Sequence, residues 1–80
     1  MSDLSALDQL DARIELTARL LMQQESMVRR LQSRHEDAQM AEVLARTLRE
    51  SLDALAQSRQ ILAGALEVVR RLRRLGLQVL

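Results

Sequence analysis

Apolar and polar positions alternate with a helical period along almost the whole chain. In its second half Leu48, Leu55, Leu62 and Val69 recur every seven residues, and the positions three later are Ser51, Ser58, Ala65 and Leu72. Apolar first positions of a heptad make a seam that packs on another helix. Ser51, Ser58 and Ala65 are small, which lets a neighbouring backbone come close. Leu52 and Leu66 widen the stripe on one flank, and Ala54, Ile61 and Val68 widen it on the other. That is broader than a two-stranded seam requires, so this helix is expected to meet more than one neighbour. Ahead of it, Leu7, Leu10, Ile14, Leu21, Val28 and Leu31 trace a first amphipathic helix. Thr17 and Gln24 are polar gaps in that heptad, and Leu20 and Met27 broaden its stripe.

The spacing predicts helix 1 over about 5–32, a turn over about 33–38 and helix 2 over about 39–75. Ser5 with Asp8 fits a capping box for the first helix, with Ser2 as an alternative cap one turn earlier. Asp37 is the candidate cap of the second helix, and Ser33 with Glu36 forms a competing box. Gly76 is a natural stop, followed by a short apolar tail at 77–80. Gly64, between Ala63 and Ala65, predicts the close approach of another helix. The polar interval from Gln32 to Gln39 holds neither Gly nor Pro. A continuous rod of about 70 residues, roughly 100 Å long and paired with a second copy, therefore competes with a hairpin. Charge favours the hairpin, whose antiparallel geometry is expected to bring Asp3, Asp8 and Asp11 near Arg70, Arg71, Arg73 and Arg74. Exposed ion pairs contribute only about 0–1 kcal/mol each, so this is a bias. The expected fold is all-α, one domain spanning 1–80. It is a two-helix antiparallel hairpin of coiled-coil type, with dimerisation into a four-helix bundle as one way to complete its core.

Composition sharpens the picture by exclusion. The 80 residues contain no Phe, Tyr, Trp, Cys or Pro. A core must come from Leu, Val, Ile, Met and Ala, and there are no rings for base stacking. Without cysteine there is no disulfide, thiol nucleophile or cysteine metal site, which fits a reducing cytoplasm. No apolar run reaches the ~20 residues of a membrane helix, and Asp3 and Asp8 stand where a secretory leader would be positive. Net charge is +1 and every basic residue is arginine, too even a balance for a general nucleic-acid binder. His35, the sole histidine, sits in the expected turn without partners for acid–base or metal chemistry. No nucleophile–base pair is signalled, so neither catalysis nor a cofactor, metal or small-molecule substrate is expected. Glu15–Arg19, Glu25–Arg29, Glu42–Arg46 and Glu67–Arg71 are placed for i, i+4 pairing. Met22, Met27 and Met40 read as core filling, with an adaptable binding surface as the alternative. Two such helices alone bury little, which implies a partner.

The run from Leu48 to Leu55 (LRESLDAL) and its continuation from Leu62 to Val69 (LAGALEVV) resemble the small needle-subunit co-chaperones of type III secretion systems, the YscE/PscE type. The resemblance covers about 10–72 in layout and 48–69 in residue detail. The chain departs from that family in its greater length and its arginine-rich end. Met40, Val43 and Leu44 also stand where an aromatic residue is often found. The resemblance implies a cytoplasmic helical hairpin that binds a helical-repeat chaperone and with it keeps the needle subunit unpolymerised before export. Leu55, Leu62, Leu66, Val69 and Leu72 are then the expected partner contacts, although the same residues serve equally as an intramolecular seam. Two other readings stand beside this one. The chain is a self-associating coiled coil or four-helix bundle scaffold, or its Arg70–Arg74 end is an amphipathic helix for an anionic membrane or nucleic acid.

Overall fold

A computed structural model describes residues 3–76, with the side chains of 5–76. The chain folds as two α-helices, α1 (Asp3–Ser33) and α2 (Gln39–Arg74), packed antiparallel. Helix α1 starts two residues before the expected position. Ser5 and Asp8 therefore lie inside it and do not form its cap. Ser2 and the tail at 77–80 fall outside the described residues.

The sequence between the helices has no glycine, yet α1 ends as if it had one. His35 adopts φ +57. The Glu36 N–H donates to the Leu31 carbonyl at 2.8 Å and the His35 N–H to the Gln32 carbonyl at 3.1 Å. These are the two bonds of a Schellman motif, with histidine at the left-handed position that glycine usually holds. The Ser33 hydroxyl donates back to the Arg30 carbonyl at 2.8 Å, so it closes α1 and does not open a capping box with Glu36. Asp37 does serve the second helix: its Oδ1 accepts from the Gln39 N–H at 2.9 Å, from one position before the N-cap residue Ala38. Gly76 closes α2 as expected, with φ +76 and its N–H donating to the Arg73 carbonyl at 3.0 Å.

The seam follows the heptads. In α1 the residues from Leu7 to Leu31 read as its stripe are all at least half-buried, Thr17 and Gln24 among them. In α2 the seam takes Ala41, Ala45, Leu48, Leu52, Leu55 and Leu62, and continues to Leu66 and Val69. Its register is marked by two ion pairs across the helices, Asp11 with Arg59 and Glu25 with Arg49, and by Gln32 Nε2 donating to Glu42 at 3.0 Å. Glu25 and Glu42 thus reach across the seam instead of along their own helices.

The result is a rod with extents of 64 × 16 × 15 Å and a radius of gyration of 18.8 Å. A compact chain of this length has a radius near ~12 Å. Few side chains are enclosed: Leu21, Ala38 and Ala41 are 6–7% exposed, and no described residue falls below 2%.

These features set three expectations for thermal melts. A Cβ at Gly64 meets nothing within 4 Å, so the close helix approach expected there is absent among the described residues. Gly64→Ala should therefore stabilise by about 1 kcal/mol, raising the midpoint by roughly 4–8 °C. His35→Gly should raise it as well, by relieving the ~1–2 kcal/mol cost of a left-handed side-chain residue. Leu21→Ala should cost about 2 kcal/mol or more, the lower end for a leucine in a core this thin.

Candidate interaction face

The broad apolar stripe of α2 is divided by the fold. Leu48, Leu52, Leu55, Leu62, Leu66 and Val69 turn toward α1, while the flank carrying Ser51, Ala54, Ser58, Ile61, Ala65 and Val68 is exposed. Ile61 is 66% exposed and Val68 55%. Nearer the turn, Met40, Val43 and Leu44 continue the same flank outward. Helix α1 presents a matching second stripe, Leu16, Leu20 and Met27, spaced by four and seven residues and 40–51% exposed. Because neighbouring helices run antiparallel, the two stripes lie side by side on one broad face of the hairpin. A groove lined by Arg13 and Thr17 of α1 and by Leu48, Ser51, Ala54, Leu55 and Ser58 of α2 joins them.

This face is mainly apolar, with Ser51, Ser58 and Arg13 among its polar members. Thr47 donates its hydroxyl to the Val43 carbonyl at 3.0 Å, which leaves its methyl group outward and no free donor there. Charge gathers on the opposite face, whose groove is lined by Glu25, Arg29, Glu42, Arg46 and Arg49. Exposed apolar side chains gathered on one face are a common mark of an interaction site.

Four of the five residues expected to contact a partner lie on the seam side of α2. Leu55, Leu62, Leu66, Val69 and Leu72 are each half-buried. The first four line the seam, with Leu55 also at the floor of the outward groove. Leu16, missed in the sequence, belongs to the exposed face. Its spacing to Leu20 and Met27 was a legible second stripe, obscured by the stronger heptad beside it.

The expected meeting of acidic α1 residues with the arginine cluster is not found for Asp8 or Asp11, and the side chain of Asp3 lies outside the described residues. Asp11 pairs with Arg59, whose guanidinium it holds above its ordinary pKa, first through the hydrogen bond and then through charge. Asp11 therefore lies well short of the arginine end. Helix α2 has 36 residues against 31 in α1, and in this register its last turns run past the start of α1. Arg70, Arg71 and Arg74 turn instead to one carboxylate of their own helix, Glu67, at 3.9, 3.6 and 3.4 Å. Leu75, beside Arg71 and Arg74, is 74% exposed.

Among the described residues no group of three or more His, Asp or Glu is placed to hold a metal ion, and no helix is long and apolar enough to cross a membrane. His35 is exposed at the turn, where its role is conformational. Comparison of the chain with family models, with curated proteins and with solved structures gives no match.

The division between seam and face is open to a direct check. Ile61→Asp should change stability by no more than about 0.5 kcal/mol in dilute solution, as exposed substitutions do. Leu62→Asp, one residue away, should abolish the helical circular dichroism signal by placing a charge in the seam.

Proposed function

We propose that this chain is a non-catalytic protein-interaction hairpin that works by seating its outward apolar face on a partner. The observation that carries this reading is the pairing of a thin core with an organised exposed face. Among the described residues only Leu21 and two alanines are enclosed, while Leu16, Leu20, Ile61 and Val68 stand outward at helical spacing. Burying them against a partner would supply the apolar contact that two helices cannot supply to each other.

Among interaction proteins, the similarity of the run 48–69 to needle-subunit co-chaperones supports a specific role. The hairpin would act in the cytoplasm with a helical-repeat chaperone to hold a type III secretion needle subunit unpolymerised. An amphipathic helix laid in a groove lined by helices is a common way to achieve this. Each partner then stabilises the folded state of the other by mass action.

The test combines binding and melting. Adding the needle-subunit chaperone from the same genome should raise the melting midpoint of the hairpin. The ternary mixture should also delay polymerisation of the needle subunit as followed by light scattering. Leu20→Asp combined with Ile61→Asp should remove both effects while the isolated hairpin keeps its helicity. A source genome without such a pair, or a midpoint unmoved by saturating chaperone, overturns the secretion role.

A further inference from the structure

The outward face is not uniform, and its unevenness has a pattern. Asp11 stands opposite Arg59 and Glu25 opposite Arg49, which fixes what lies beside what. In that register the bulky Leu16 and Leu20 of α1 lie alongside the small residues Ser51, Ala54 and Ser58 of α2. Farther from the turn Ile61 and Val68 of α2 stand out where α1 carries the small Ala6. Each hairpin therefore carries a ridge on α1 next to a hollow on α2.

We propose that a second copy of this chain covers the outward face, about a two-fold axis parallel to the helices. This rests on the reading of that face as a docking surface and names its occupant. The rotation lays each α1 on α2 of the other copy at the same height and antiparallel to it. Leu16 and Leu20 of one copy then fill the hollow at Ser51, Ala54 and Ser58 of the second, while Ile61 and Val68 come to the level of its Ala6. Interdigitated large and small side chains are what close packing between helices demands. An axis perpendicular to the helices would set each helix against its own copy, ridge on ridge, and lose this fit. Toward the turn both helices are bulky, with Met27 near Val43 and Leu44, and the unbranched methionine is the side chain able to adjust.

One charged side chain, Arg13, lines that hollow, and the arriving Leu16 and Leu20 lie against its aliphatic stem. Gln24 fits the same arrangement. Its Oε1 is buried with no hydrogen-bond partner, and the rotation brings the hydroxyl of Ser51 in the second copy to its level. The product is a four-helix bundle in which every helix has antiparallel neighbours and both turns lie at one end. Self-pairing and partner binding then compete for one face.

The chain has no native cysteine, so engineered disulfides report contacts without background. A Leu20→Cys chain is mixed with an Ala54→Cys chain and oxidised mildly, and each is also oxidised alone. The expected result is rapid cross-linking of the mixture, at least tenfold faster than either chain by itself, with unchanged helicity in both variants. Faster cross-linking of Leu20→Cys alone, or of Ala54→Cys alone, overturns the arrangement. A monomer by sedimentation equilibrium across a hundredfold concentration range overturns self-pairing altogether. In that monomer, binding of an apolar dye that Leu16→Asp with Leu20→Asp abolishes would leave the docking face standing with another occupant. A monomer that binds no dye would remove the docking reading as well.

Discussion

Two helices laid side by side share one line of contact, and everything else in this structure follows from how little that line can bury. A helix in a globular core is covered over a wide arc; here each has a single neighbour. The seam is made of aliphatic side chains that are mostly only half-buried, and among the described residues those enclosed are Leu21 in mid-helix and two alanines near the turn. With no aromatic side chain in the sequence, no large ring broadens the contact. Surplus apolar positions are thus pushed outward and collected on one face. The interaction surface and the thin core are two aspects of the same geometry.

What the seam lacks in depth it gains in definition. Charged groups sit at its edges, where Asp11 meets Arg59 and Glu25 meets Arg49. Such exposed pairs add little stability, but a shift of register would separate them and bring unlike layers of the seam together. The turn adds a second constraint. The bonds from Glu36 and His35 back to Leu31 and Gln32 set where α1 stops, and the Asp37 carboxylate sets where α2 begins. Only a short connection separates the helices, so the pairing of residues along the rod is decided at that end and carried along its length.

Much of this was legible from residue pattern. The α1 heptad predicted its buried side residue by residue, because a single apolar stripe on a helix has one reading. The α2 stripe had two. Leu52 and Leu66 on one flank were no more apolar than Ile61 and Val68 on the other, and which flank faced α1 depended on tertiary register that no local pattern encodes. Of the five residues expected at a partner, Leu55, Leu62, Leu66 and Val69 lie on the seam side, the intramolecular role expected as the alternative to partner contact. The charge argument chose the hairpin correctly, but Asp11 is taken by Arg59 while Arg70, Arg71 and Arg74 share Glu67. His35 was read as an ordinary turn residue because its left-handed backbone has no signature in the residue itself.

That histidine gives the connection an unusual freedom. A hairpin turned by glycine or proline is committed, because those residues resist helix on either side. Here the interval from Gln32 to Gln39 contains neither, and the bend rests on one backbone conformation that histidine adopts at a cost. If His35 relaxes to the right-handed region, α1 and α2 can join into one uninterrupted helix, and the seam between them is lost within the chain. Ala38, one of the enclosed residues, lies in that connection, so straightening it gives up part of the thin core as well. The fold-back is therefore held by the seam and by the turn's own hydrogen bonds, and by no helix-breaking residue.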